Sequence, residues 1–188
     1  MDVPCQSFAA VDNGQRTLAL ISDCKYGFRL SEGVLSCSLI NTAGSPDPYP
    51  ERGLHRITLW MHVGEKGATA LRRHSEALNR PLIPLSTKAQ AGVLPAVGRL
   101  MEFDAQTALL SGAEINSEGE MCVRVYETQG KPDEVRLILP FEVAAARLTD
   151  MKGNERGTAR SEGHRVIFKV PPYSIVQVCA APKAGMSG

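Results

Sequence analysis

The sequence predicts an all-β chain, mainly antiparallel β-sandwich, with one short helix. Three observations carry that class. Apolar and polar residues alternate with a period of two in 34–40 and again in 54–62, the pattern of a strand with one buried face. From Gly98 onward, short apolar runs recur at even intervals with turn residues between them, as in a small sandwich. A single stretch, 68–78, has the three- and four-residue spacing of an amphipathic helix.

In chain order, Thr17-Leu18-Ala19-Leu20-Ile21 is a short apolar run suited to a strand. Tyr26-Gly27 and Glu32-Gly33 supply turn chemistry for a hairpin-like excursion. Val34, Ser36, Ser38 and Ile40 then share one face of a strand, with Leu35, Cys37 and Leu39 on the other. In 54–62, Leu54, Arg56, Thr58 and Trp60 oppose His55, Ile57, Leu59 and Met61. Ala68, Leu71, Ser75 and Leu78 form the helix stripe, and Asn79 and Pro81 end it. Pro81, Pro84, Gly92 and Pro95 make an extended crossing segment. Strands are expected after it at 100–103, 108–115, 121–128, 135–139, 143–149, 165–170 and 174–180. Two domains follow, 1–96 and 97–182, with 183–188 a small polar tail expected to be disordered.

A chain of 188 residues buries roughly 70% of its unfolded surface. Its 43% hydrophobic and 22% charged residues are an ordinary globular mix. A formal charge of +1 leaves no electrostatic footprint for nucleic acid or an anionic membrane as partner. No apolar run reaches 18 residues, and Met1-Asp2-Val3-Pro4 lacks the layout of a signal peptide. Cys5, Cys24, Cys37, Cys122 and Cys179 are odd in number, scattered, and form no Cys-x-x-Cys. Thiols in a reducing compartment are therefore expected rather than a disulfide framework, and with them a cytoplasmic location.

The turn Ser22-Asp23-Cys24-Lys25-Tyr26-Gly27-Phe28 precedes the 34–40 run and the loop Asn41-Thr42-Ala43-Gly44-Ser45-Pro46-Asp47-Pro48. Gly53-Leu54-His55 and a run ending in Met61-His62 follow. This order resembles the C-terminal β region of the family 38 glycoside hydrolases, the α-mannosidase-like enzymes. Ser22 stands for that family's Asn and Met61-His62 for its Pro-His, and the loop is two residues shorter before Asp47. Glu76 to Leu82, Cys122 to Glu127, Val143 to Asp150 and Pro172 to Val176 continue the resemblance. Ser111-Gly112-Ala113-Glu114 departs from it.

The resemblance implies that 1–96 is the terminal portion of a large galactose-mutarotase-like β-sandwich and 97–182 a small Ig-like one. It implies a retaining glycosidase as parent, whose nucleophilic carboxylate and zinc sit in a large N-terminal domain that this chain does not contain. The chain alone is then catalytically silent, with no catalytic residue, metal ligand or cofactor of its own. Its partner is that catalytic domain, its own or a separately encoded equivalent, and it meets an α-mannoside only through the parent. Cut at Met1, its first half would present an unpaired edge or apolar face open to self-association. The alternative is a stand-alone carbohydrate-binding or scaffold β module.

Asp47, Glu51, Arg52 and His55 are the candidates for the substrate rim. Asp47, held between Pro46 and Pro48, either shapes a turn or helps the 41–53 loop close over a pocket; Arg52 is the side chain expected to reach a sugar hydroxyl. Asp23, Lys25 and Tyr26 are secondary candidates, for an acid/base role or for a turn in which the aspartate caps backbone N–H groups. Lys25 beside Cys24 would lower that thiol's pKa a little. His55 and His62 fall on opposite faces of one expected strand and His74 and His164 elsewhere, so no metal set forms. Trp60 either packs in a core or offers a sugar platform.

Overall fold

The computed structural model describes residues 3–42, 44–46, 48–49, 51–64, 67–88, 91–92, 95 and 97–183. It divides into two units, Met1–Ser86 and Thr87–Gly188; the sequence had placed the change at 96/97. Both are built from antiparallel sheets, so the all-β class with one short helix holds.

Unit 1 contains β1 (Val3–Pro4), β2 (Phe8–Asp12), β3 (Thr17–Ser22), β4 (Gly27–Ser31), β5 (Val34–Cys37), β6 (Leu59–Gly64) and α1 (Ala68–Asn79). Two three-stranded sheets result, ordered β1-β4-β5 and β2-β3-β6. The expected excursion is the β4–β5 hairpin. Ser31 pairs with Val34, leaving Glu32 and Gly33 at φ 52° and 79°, the double positive φ of a two-residue turn that matches strand twist. In β3, Ala19 and Ile21 point inward and join Leu71 of α1, with Phe8 and Trp60 packed against them. Trp60 is thus packed within the unit.

The other face of this sheet is apolar too. Leu18 pairs with Val63 and Leu20 with Met61, and Leu18, Leu59, Met61 and Val63 are all exposed. The strand expected over 54–62 begins only at Leu59. Ahead of it, Thr58 donates its N–H to the Asp23 carboxylate (3.2 Å) and accepts from the Asp23 N–H (3.4 Å). A turn rather than a neighbouring strand therefore satisfies the backbone of Thr58.

Unit 2 contains β7 (Glu102–Asp104), β8 (Ala108–Ile115), β9 (Met121–Glu127), β10 (Asp133–Ile138) and β11 (Val143–Thr149). It continues with β12 (Glu155–Thr158), β13 (Arg160–Glu162), β14 (Arg165–Val170) and β15 (Ile175–Pro182). A four-stranded sheet β13-β14-β10-β7 packs on a five-stranded sheet β12-β11-β15-β9-β8. Between them lie Val123, Val125, Val135, Leu137, Val166, Phe168, Val170 and Val178, all nearly inaccessible. Strands β12 and β13 were not expected, because Glu155-Arg156-Gly157-Thr158 and Arg160-Ser161-Glu162 are polar throughout and show no alternation. Lys183, expected in a disordered tail, is tied to Glu142 through its N–H (2.8 Å) and its ammonium (2.8 Å); 184–188 lie outside the described residues.

The expectation for the cysteines is overturned. Cys122 of β9 and Cys179 of β15 are direct cross-strand partners and are joined in a disulfide. They stand 57 residues apart, so no sequence spacing betrays them. Among the described residues Cys5, Cys24 and Cys37 form no disulfide. The cysteine argument for a reducing compartment falls with this pair.

Candidate functional site

The turn between β3 and β4 places the secondary candidates. Ser22, 3% exposed, accepts the Lys25 N–H on its hydroxyl at 2.8 Å and the Cys24 N–H at 3.3 Å. This side-chain turn ends β3 and reverses the chain. Asn79, the last residue of α1, donates its side-chain N–H to the Ser22 carbonyl at 3.2 Å. Cys5 donates its N–H to the Tyr26 carbonyl at 2.8 Å, which anchors the N-terminal strand beside the turn.

These contacts enclose an open cleft of about 620 Å³, lined by Pro4, Cys5, Gln6, Ser7, Ser22, Asp23, Tyr26, Asn79 and Arg80. Asp23 and Tyr26 are therefore brought together. Lys25, between them, does not line the cleft.

A hydrogen bond from the Cys24 thiol, helped by the Thr58 N–H, holds the Asp23 carboxyl below its ordinary range against a smaller desolvation effect. The same bond, with desolvation and the charge of Asp23, pushes the Cys24 thiol up, opposite to the lowering expected from Lys25. Cys24 is not an activated nucleophile. Asp23 accepts the Thr58 N–H, and its lowered pKa favours the carboxylate form.

Asp23 carries the one carboxyl among the residues lining the cleft. Two placed carboxyls, the requirement for glycoside hydrolysis in one site, are not assembled here. The set of carboxylate, amides, guanidinium and phenol is suited to hydroxyl-rich ligands. Gln6 and Arg80 were missed because nothing in the sequence connects the N-terminal strand to the end of the helix.

The rim candidates form a separate local cluster. Asn41 donates its N–H to the Glu51 carboxylate at 3.0 Å. The His55 ring sits 2.6 Å from the Glu51 carbonyl, and the Arg52 guanidinium lies 5.0 Å from the centre of the Tyr49 ring. These contacts knit the loop to itself, and Glu51, Arg52 and His55 do not line the cleft. Asp47 lies outside the described residues.

A further cleft, of about 720 Å³, lies in unit 2 and includes Arg99, Glu102, Asp104, Arg136 and Arg165. None of the residues singled out from the sequence line it.

The histidines behave differently from expectation in one respect. His62 of β6 and His74 of α1 bring their rings to 5.1 Å between centres, a helix-to-strand pairing invisible to linear spacing. His164 instead bonds the Leu139 carbonyl at 3.1 Å. Among the described residues, Glu120, Cys122 and Cys179 are the one grouping of three metal-donor side chains. Its sulfurs are joined to each other and its carboxylate to Arg147. These residues do not fit a sugar-gripping zinc. No helix among the described residues is long and apolar enough to cross a membrane.

No protein-family model matches the chain. It is 25% identical over 170 residues to α-mannosidase 2C1 of Homo sapiens, covering 86% of this chain and 16% of that protein. The Mus musculus α-mannosidase 2C1 is 25% identical over 169 residues, covering 84% and 16%. Dictyostelium discoideum α-mannosidase G is 23% identical over 167 residues, covering 84% and 15%. The chain thus spans only 15–16% of the length of these curated relatives. By motif order and by sequence identity alike, it is similar to the C-terminal β region of the α-mannosidase-like glycoside hydrolases of family 38.

Proposed function

We propose that this chain is the β portion of an α-mannosidase-like retaining glycosidase. It braces the catalytic domain and lends the 41–53 loop, with Glu51, Arg52 and His55, to the mouth of the active site. The observation that supports this reading is the unpartnered apolar face of β2-β3-β6. Met61 is 72% exposed and Val63 60%, with Leu18 and Leu59 each 39% exposed beside them. Fully burying an exposed side chain of this kind stabilises by about 1.5–3 kcal/mol, and less for the partly covered Leu18 and Leu59, which a neighbouring layer of the parent would supply. Zinc and the nucleophilic carboxylate belong to that catalytic domain, and the whole works in the cytoplasm.

The test is turnover of a chromogenic α-mannoside with added zinc, by the chain alone and mixed with a separately expressed catalytic domain. The chain alone is expected to be silent and the mixture active. Turnover by the chain alone would sink the proposal, and so would silence of a mixture whose catalytic domain works when fused to this chain.

A second reading is a stand-alone carbohydrate-binding module, favoured by the Asp23, Tyr26, Asn79 and Arg80 cleft. Calorimetric binding of α-mannosides by the chain, abolished in Arg80→Ala, would select it.

A further inference from the structure

The Cys122–Cys179 disulfide is buried, Cys122 4% and Cys179 2% exposed, and a small cavity borders Cys122 but not Cys179. Val123 and Val125 of β9 and Val178 of β15 point into the core, so Cys122, Arg124, Gln177 and Cys179 lie on the outer face of the five-stranded sheet. In the order β11-β15-β9-β8, the line from Cys179 to Cys122 continues over β8.

Glu114 is the cross-strand partner of Cys122 and Gly112 that of Arg124. The ladder slips by one residue between Leu110 and Gly112, a bulge that re-aims the side chains there. Gly112 has no side chain to fill the gap. A cavity of about 100 Å³ remains, lined by Gly112, Ala113, Glu114, Cys122, Arg124 and Gln177.

The opposite direction is closed. Arg147 of β11 is the partner of Cys179, and its guanidinium is held by Glu120 and Glu118. Cys179 Sγ also sits 3.8 Å from the Gln177 side-chain N–H₂ and 3.9 Å from the Thr149 hydroxyl, two groups able to donate to a departing thiolate.

We infer that Cys122–Cys179 is a thiol–disulfide exchange site, taking low-molecular-weight thiols of the glutathione class through the cavity beside Gly112. The incoming thiolate attacks Cys122 Sγ in line with the S–S bond. That bond breaks, its electron pair leaves on Cys179 Sγ, and water protonates it; Cys122 carries the mixed disulfide. A second thiolate attacks the small-molecule sulfur and releases Cys122. In balance, two thiols become one small disulfide and the protein gains two electrons and two protons. Arg124 and Glu114 both line the cavity and form an ion pair at 3.6 Å; the Arg124 guanidinium, also held by the Gln177 side-chain oxygen at 2.9 Å, offsets the Glu114 charge that an anionic nucleophile meets there.

The test follows reduction of the oxidised full chain by glutathione in native buffer, with acid quench, alkylation and mass spectrometry. Early quenches are expected to carry glutathione on Cys122. Small additions of urea are expected to leave the rate unchanged. A Cβ at Gly112 meets nothing within 4 Å and the residue has no positive φ, so the backbone accepts Gly112→Val, which adds bulk beside the cavity. It is expected to slow reduction at least about tenfold with an unchanged urea midpoint. Equal rates in the two proteins would overturn the site, as would glutathione on Cys179, a rate that climbs with unfolding, or failure of the pair to oxidise. Should Gly112→Val fail to fold, the wild-type position of attack and urea dependence decide the matter.

Discussion

Glu127→Gln tests how the last residue of β9 organises two loops. Glu127 is 4% exposed. Its carboxylate accepts the N–H of Gln129 and of Gly130, each at 2.7 Å, and that of Tyr173 at 2.9 Å. Gly130 and Tyr173 hold φ 72° and 50°, and the Tyr173 ring lies so close over Gly130 that a Cβ there would meet it at 2.5 Å. Burial pushes the carboxyl up, but these backbone donors outweigh it and bring it down to about 2 from an ordinary 4.5. A folded value below the unfolded one gives stability that is complete above about pH 4.5 and lost as pH falls through about 2.

The gap corresponds to about 2–3 kcal/mol by linkage, after allowance for water reaching the loops. An amide keeps the shape but turns an N–H₂ towards N–H groups, so Glu127→Gln is expected to lose that amount at pH 7. Urea unfolding followed by far-ultraviolet dichroism at pH 7 and at about pH 2 reads it directly. The gap between the proteins should narrow at the lower pH. Equal midpoints at pH 7, or a gap indifferent to pH, would refute the reasoning.

Asp133 works the same way: despite burial, the N–H groups of Ala108 and Thr107 hold its carboxyl low, so Asp133→Asn should cost about 1–2 kcal/mol at neutral pH and less in acid, by the same unfolding assay. Arg147→Met should release Glu120, whose carboxyl Arg147 holds below its ordinary range. A carboxyl NMR titration should then show Glu120 moving up, and stability should fall by about 1–3 kcal/mol. Met61→Asp with Val63→Asp alters only exposed side chains. It should move the urea midpoint of the chain by less than about 0.5 kcal/mol equivalent yet abolish activity recovered by mixing; retained activity would remove this face from the bracing surface.

The second unit was largely legible because its strands bury one face each. In β14, Val166, Phe168 and Val170 alternate with Arg165 and Lys169, and burial follows the letters. Polar edge strands such as β12 carry no such signal, since pairing alone makes them strands. In 54–58 the letters alternate but the strand begins only at Leu59 and the Thr58 backbone bonds Asp23 instead, so period without a neighbouring strand misled the reading. At the site, Asp23 and Tyr26 were visible as one motif. Asn79 and Arg80 joined them only through a helix packed across the sheet, and Cys122 met Cys179 only through strand register. Contacts at long separation leave no local trace.

The two units are finished to different degrees, and this bears on function. Among the described residues, unit 2 encloses a continuous core from Ala108 to Ala180 between two apposed sheets. In unit 1 the buried cluster around β3 is Ala19, Ile21 and Leu71, while the same strand turns Leu18 outward beside Val63. A strand apolar on both faces is the composition of a sheet covered on both sides, and here α1 covers one. The sequence of β3 is therefore written for a second layer, on the face where Met61 and Val63 stand exposed. A larger enzyme braced by this chain would cover that apolar surface, as would a second copy of the chain. This asymmetry is the reason to place the bracing reading ahead of the binding-module reading, although the polar cleft suits sugar hydroxyls.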